Sequence, residues 1–530
     1  MTVRLSFTTL ACAAALLLGA APAQAAKQCA EPGKDWQRAT PAEAGMDAAA
    51  LQDAMDFASV NASYAARVYR RGCLVAEDRY ADRNRSERYE SWSMAKSITA
   101  MTFGRAMTEN LLSPDDVVGS LVPEADAAHG KIRMEDLLTM SSGLRWNGFR
   151  DYNIFTMPDR IIDALTLEPV YEPGTYYEYA QSPVSLLAEI IGRSAGTETQ
   201  YFAQRELMDP LGIEQHTWTW TRDKAGHVGG FHGVNMQPDD FGRLGELMRR
   251  GGVWRGKRLL SKEFMDRALT PSKVNGCYGW LIWLNNGKPC IGPRIQERSV
   301  KPTVDFPTMP RDMYRFVGLF GQLVTVFPSQ EIVVVRVGQD PQVQLHGGGS
   351  WEQGIYERVL GAVRDTPVKR PAGDEPAPVR DEPNPDQGFQ NALAEPDQYS
   401  KGIQQDPLPP AGPQRARAPR FELALPRISK KGVIVLRVFC PPRPASPCNG
   451  RAFLPRTRSS AAFSVPAGDS RLVRFTLTSR NLRASRGKRL TLPAKVTNED
   501  ALGGITVTRD VSVRGPAPLK AKKKRRARRR

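Results

Sequence analysis

The chain is poor in histidine, with 5 in 530 residues: His129, His216, His227, His232 and His346. No two of them stand in the H-E-x-x-H spacing that sets two imidazoles on one helical face, which argues against a zinc hydrolase. Cysteine is scarce too, with 7 residues and no C-x-x-C pair, so zinc-ribbon and dithiol redox readings fall away. No metal or cofactor is implied. Beyond the extreme N-terminus, no apolar run approaches the roughly 20 residues that a membrane-spanning helix needs, so no transmembrane segment is expected.

What remains is a globular composition. Hydrophobic residues make up 41%, interspersed with 45 Gly and 41 Pro, which fits packed domains with many loops rather than a coiled coil. At 530 residues the chain exceeds what one core fills, so two or three domains are expected. Residues 1–26 read as a secretory signal peptide. Arg4 precedes the apolar run Leu10–Leu18, and Ala23-Gln24-Ala25 forms an A-x-A cleavage pattern. The expected location is secreted, periplasmic or cell-surface.

In an exported chain an even set of cysteines reads as disulfides. Cys12 leaves with the signal, and six remain. Sequence proximity favours Cys277–Cys290 and Cys440–Cys448, leaving Cys29–Cys73. The formal net charge is +18, and nine of the last eleven residues, Lys520–Arg530, are Lys or Arg. Such a run cannot bury and forms a solvated tail at 516–530. It could hold an anionic cell-wall polymer or serve solubility alone. Export makes nucleic acid an unexpected partner.

Hydrophobic patterning divides the rest. Residues 27–365 read as one α+β domain, an antiparallel sheet flanked by helices with a helical and loop-rich subdomain. Near its start, Ala66–Arg70 and Cys73–Glu77 flank an Arg71-Gly72 turn. Near its end, Gln322–Phe327 and Ile332–Val337 flank a turn at Pro328-Ser329. Both read as hairpins. Trp351–Val363 reads as a closing helix. Residues 366–417, rich in Pro, Asp and Glu, read as a semi-rigid linker. Residues 418–515 carry short alternating runs, including Phe421–Leu425, Val433–Val438, Leu472–Leu477 and Ile505–Thr508. They read as a small β-sandwich with the role of a spacer or surface-binding module.

The chemistry concentrates at Ser93-Met94-Ala95-Lys96, an S-x-x-K sequence followed by apolar residues at helical spacing. On a helix that starts near Ser93, residues three apart share a face. A serine hydroxyl needs a base within hydrogen-bond reach, and a lysine can serve only when neutral. Burial or nearby positive charge lowers its pKa toward that state. The helix N-terminus adds backbone N–H groups, that of Ser93 among them, for a developing oxyanion. S-x-x-K alone is a weak signal, because Ser485-Arg486-Gly487-Lys488 matches it in a stretch with no helical pattern.

Two further blocks strengthen it. Asp136-Leu137-Leu138-Thr139-Met140-Ser141-Ser142-Gly143-Leu144 resembles a "DLLTMTSGL" block, and Glu172–Ser182 resembles a "PGTxFxYSN" block. With Ser93–Lys96 they occur in the order and spacing of the serine β-lactamase and penicillin-binding-protein superfamily. The resemblance covers residues 30–365 and is nearest the branch of class C β-lactamases, esterases and 6-aminohexanoate-dimer (nylon-oligomer) hydrolases. It implies a β-lactamase-like fold and an acyl-enzyme on Ser93. It also implies Tyr179 as the group that takes the serine proton and returns it to the leaving group, aided by Lys96. Tyr152 resembles a substrate-contacting aromatic, and Trp146 is similar; a loop aromatic that covers the core is the alternative for each.

Two departures narrow the expectation. Gln181 stands where the family commonly has Asn, as a substrate-binding amide of longer reach. Phe316-Val317-Gly318 stands where Lys- or His-x-Gly is usual, so the cation that grips a β-lactam or peptide carboxylate is missing. The second oxyanion donor should then be the Leu319 N–H.

Two further segments match catalytic motifs only by chance. Gly192-Arg193-Ser194-Ala195-Gly196 matches G-x-S-x-G but follows a helical pattern, so it reads as a glycine-closed helix end. His346-Gly347-Gly348 mimics H-x-G but falls in a loop. The expected function is hydrolysis of a small amide or ester. The alternatives are a penicillin-recognising D-amino-acid peptidase or β-lactamase, and a catalytically idle cell-wall-binding protein.

Overall fold

The fold is described from a computed structural model, for residues 26–294, 299–341, 350–369 and 371, and in the C-terminal part for 420–423, 428–429, 431–439, 448–454, 457, 461–466, 470–498 and 505–516. Residues 1–25, His346, nearly all of the stretch 366–417 read as a linker, and most of 516–530 lie outside these residues.

The first part of the chain runs through helix α1 (Ala48–Val60), strands β1 (Ser63–Arg70), β2 (Cys73–Glu77) and β3 (Tyr89–Glu90), and helix α2 (Met94–Thr108). Short helices follow, among them α3 (Gly148–Asn153), then the longer α4 (Ser182–Ala195). Strand β4 (Val234–Met236) leads into α5 (Pro238–Arg249). The last stretch holds β5 (Trp283–Leu284), β6 (Tyr314–Gly318), β7 (Gln322–Phe327), β8 (Ile332–Gly338) and α6 (Ser350–Gly361).

The six-stranded antiparallel sheet has the order β2-β1-β8-β7-β6-β5, which brings the two ends of the domain side by side. Both expected hairpins form. Arg70 pairs with Cys73 across Arg71-Gly72, whose φ angles of 51° and 77° suit the twist of a two-residue hairpin turn. Phe327 pairs with Ile332 across a short 3-10 turn.

Side chains alternate across the pleat, and both faces are covered. Leu323, Phe327, Ile332 and Val334 join α1 and α6 in one apolar cluster. Val324, Val326, Val333, Val335 and Val337 join α2, α4 and α5 in the other. Every residue of β7 and β8 is buried, which explains their nearly continuous apolar runs. The helix read as Trp351–Val363 is observed as Ser350–Gly361. Gly196 closes α4 at φ 64°, and Ser194 Oγ donates to the Ile191 carbonyl, so the G-x-S-x-G match is a helix end.

In the C-terminal part, a three-stranded sheet of Arg420–Leu423, Val433–Phe439 and Ser470–Thr476 and a four-stranded sheet of Ala461–Val465, Cys448–Phe453, Arg489–Asn498 and Ile505–Arg514 share one apolar cluster. That is the small β-sandwich. Three of these strands escaped the sequence reading, as did helix α7 (Ser479–Ser485). The second S-x-x-K therefore begins on the last residue of a helix, where Ser485 Oγ donates to the Leu482 carbonyl.

Cys29–Cys73 and Cys277–Cys290 are bonded. Cys440 lies outside the described residues, so its pairing with Cys448 stays an expectation. Among the described residues no helix is long and apolar enough to cross a membrane.

Candidate active site

The segment before α2 is tied down at each residue. Ser91 N–H donates to the Val234 carbonyl on β4 at 2.8 Å. The buried Glu90 carboxylate accepts from the N–H groups of Trp92 (3.0 Å) and Gly233 (2.7 Å). Burial pushes that carboxyl up to about 7 even so. Trp92 sits at φ +49°, a conformation a tryptophan keeps only when its surroundings impose it. Here those surroundings are the Glu90 bond, an edge contact to Phe320 at 5.3 Å and another to Phe155 at 6.0 Å.

Ser93 follows as the residue that caps α2. The N–H groups of Met94, Ala95 and Lys96 donate to the carbonyls of Ser91, Trp92 and Ser93. Among the described residues no acceptor is found for the Ser93 N–H, so it is left for a ligand. Lys96, one turn on, has its Nζ 2.9 Å from Ser93 Oγ. It also donates to Gln181 Oε1 at 2.6 Å and to the Phe231 carbonyl at 3.4 Å. The ammonium is fully enclosed, 4.6 Å from the Tyr179 ring centroid. Burial brings Lys96 down to about 7 against a weaker upward pull from Asp151. At that value about half the amine is neutral near pH 7, against fewer than about one in a thousand for an ordinary lysine.

Tyr179 enters from the loop before α4. Its hydroxyl lies beside Ser93, and its ring stacks on Trp283 at 5.9 Å beside Tyr278 at 6.2 Å. Burial pushes the phenol well above its ordinary range, with Ser93 opposing and Asp151 adding to the rise. The resting tyrosine is therefore protonated.

The two blocks Asp136–Leu144 and Glu172–Ser182 build the wall that carries Tyr179. Gly174 N–H donates to the Ser141 carbonyl, Glu178 N–H to Met140, and Tyr171 N–H to Gly143. Asp136 accepts from Arg133, its neighbour one turn back. Leu281 N–H donates to Leu138 while its carbonyl accepts from Ser97 Oγ, which joins this wall to α2.

The end of β6 closes the opposite side. A Cβ on Gly318 would lie 2.1 Å from the Ser91 carbonyl oxygen, so glycine permits the strand to touch the nucleophile loop. Leu319–Gly321 then turn tightly, with Phe320 at φ 61° and Gly321 at φ 79°. Buried Arg336 donates to the carbonyls of Phe320 (3.2 Å) and Gly321 (2.7 Å). Gln322 Nε2 donates to the Leu319 carbonyl at 3.2 Å. The three consecutive peptide units that follow the Leu319 N–H are thus held. The G-x-x-G-Q sequence is legible in these terms, whereas Arg336, 18 residues beyond Gly318, carried no signal.

The other expected site residues part company. Gln181 faces Lys96 rather than open space. Trp146 is buried, donates from Nε1 to Asp151 Oδ2 at 3.3 Å, and carries the Arg294 guanidinium on its ring at 5.4 Å. Tyr152 lies on α3, and its side chain lies outside the described residues. The residue missed is its neighbour Asp151, buried and accepting from the Gln181 N–H at 2.8 Å. An aspartate in a helix as short as α3 has no sequence signature.

A mixed antiparallel sheet with helices on both faces, and a serine and lysine one helical turn apart beside a tyrosine, define a serine hydrolase of the β-lactamase fold. The family model for beta-lactamase matches residues 49–400, and the chain belongs to that family, whose chemistry in general runs through an acyl-serine. Several solved structures are similar. A putative 6-aminohexanoate-dimer hydrolase from Bacillus anthracis is 16% identical, covers 57% of this chain and 79% of its own, and has a TM-score of 0.45. A putative beta-lactamase from Bacteroides dorei is 15% identical, covers 60% and 99%, and scores 0.46. A penicillin-binding protein homologue from Caulobacter crescentus is 15% identical, covers 59% and 97%, and scores 0.44. No curated protein matches the sequence.

Proposed function

We infer that the protein is an exported serine hydrolase that cleaves a small amide or ester through an acyl-enzyme on Ser93. The observation that carries this is the 2.9 Å approach of a desolvated lysine amine to the Ser93 hydroxyl. Neutral Lys96 takes the hydroxyl proton as Ser93 Oγ bonds to the substrate carbonyl carbon. The N–H groups of Ser93 and Leu319 receive the oxyanion. Tyr179, already protonated, gives its proton to the leaving amine or alkoxide and regains one from Lys96. Water then attacks the acyl-serine by the reverse proton path.

Simple amides and esters are favoured over β-lactams because Phe316 stands where the cation of Lys- or His-x-Gly would be, and Arg315 on the same strand is buried and paired with Asp305 and Glu352. Residues 1–26 as a cleaved signal, and the two disulfides, support export. The boundaries at 365 and 418, and a cell-wall role for the basic tail, are proposals of the same standing.

Turnover of short amides, D-amino-acid amides and p-nitrophenyl esters tests the reading. Hydrolysis of at least one class is expected, with loss of more than about 10³-fold in kcat for Ser93→Ala. Equal turnover by Ser93→Ala would refute it. Stable acylation by a fluorescent penicillin would shift the assignment to a penicillin-recognising enzyme.

A further inference from the structure

Asp151 is a buried carboxylate that the reaction above does not use. Its Oδ1 accepts from the Gln181 N–H at 2.8 Å, and its Oδ2 from Trp146 Nε1 at 3.3 Å. The side chain of the same Gln181 reaches the other way, with Oε1 2.6 Å from Lys96 Nζ. One residue therefore touches Asp151 with its backbone and the proposed base with its side chain. A purely structural carboxylate at a helix start would be expected to face solvent. This one sits 6% exposed, inside the wall behind the nucleophile.

We propose that Asp151 is a positioning residue that holds Gln181 against Lys96 and sets the protonation state of Lys96, and so the pH range in which Ser93 is nucleophilic. The inference rests on the reading of Lys96 as base. Its electrostatics can be followed group by group. Burial raises Asp151 to about 7, with the Gln181 N–H, Lys96 and Trp146 pulling it down and Glu178 pushing it up. Glu178 is held by Arg294 at 2.9 Å. Lys96 comes down to about 7 by burial, and Asp151 is the charge that pulls it back up. The other groups near Lys96 are Tyr179, protonated, and His232, kept neutral by burial and by the cations Arg160 and Lys96. Two groups titrating in the same range and attracting each other exchange protons as a pair.

The sign follows. An ionised Asp151 favours the ammonium form of Lys96, so the reactive amine appears only as pH rises past the pair. Removing the carboxylate leaves burial unopposed, and the amine appears at lower pH. The carboxylate also sustains the basicity of the amine, because loss of the counter-charge would yield a weaker proton acceptor.

The test is the rate of Ser93 labelling by a fluorophosphonate from pH 5 to 9, which needs no knowledge of the substrate. In Asp151→Asn the midpoint of the acid limb is expected to fall by about one pH unit. Asp151→Glu, which restores the charge, should return it toward the wild-type value. A carboxylate of merely structural importance would slow labelling at every pH and leave the midpoint in place, which overturns the proposal. Asp151→Ser takes the place of Asp151→Asn should the latter not be recovered folded, with the same expectation and the same contradiction. Ser93→Ala separates the two readings. Labelling of Ser93→Ala at the wild-type rate removes the Ser93 assignment itself, whereas a silent Ser93→Ala with an unmoved Asp151→Asn midpoint removes only the role of Asp151.

Discussion

At the scale of single residues, burial outweighs every charge at the site. Lys96 lies near an acid, Asp151, that favours its ammonium form, yet desolvation wins and leaves it at about 7. The kcat/KM profile should therefore rise with pH through about 7, as the amine loses its proton, and Lys96→Met should abolish the rise together with the activity. Tyr179 is pushed the other way and stays protonated, so it enters as acid rather than base. Tyr179→Phe is expected to lower kcat by about 10²- to 10⁴-fold with little change in KM, the mark of a proton transfer made only in the transition state. An equal loss in KM would instead indicate a substrate contact. Ser93, Lys96 and Tyr179 were legible because their neighbours form recognisable blocks. Gln181 was legible as a position but not in its role, since nothing in a sequence says which way an amide of that length will turn. Asp151 was not legible at all, because its meaning comes from burial and from a backbone N–H thirty residues away.

At the scale of elements, the site is a meeting of three pieces: the capped start of α2, the loop before α4, and the turn after β6. Hairpins and long helices were readable because periodicity and turn chemistry are local. The turn at Leu319–Gly321 was readable only as a motif, since the clamp from Arg336 comes from a neighbouring strand. Gly318→Ala is expected to push β6 off the nucleophile loop, with kcat falling about 10²-fold in a protein that still folds. Arg336→Met should have the same sign, and circular dichroism would separate either effect from unfolding. In the sandwich, the strand Ala461–Val465 was missed because small residues fill its outward positions, and Arg489–Asn498 because Pro493 interrupts its alternation.

At the scale of the whole molecule, the two ends of the hydrolase part are locked together. Arg70 and Arg71, in and after β1, bond Asp365 beyond the last helix at 2.5 and 2.7 Å. Truncation before Asp365 is expected to destabilise the hydrolase, because Arg70 would be left buried without its acid. Truncation near residue 370 should spare activity, and thermal melting of the two products checks the difference. Cys29–Cys73 ties the N-terminal segment to the same hairpin across 44 residues. Replacing both by serine should cost about 4 kcal/mol on a chain-entropy view and lower the melting temperature accordingly.

All of this depends on one covalent event. Intact-protein and peptide mass spectrometry after brief exposure to an activated ester measures it directly. The expected result is a single acyl adduct on the peptide that carries Ser93, absent from Ser93→Ala and accumulating more slowly below pH 7. An adduct on another residue, or one that persists in Ser93→Ala, would contradict the account.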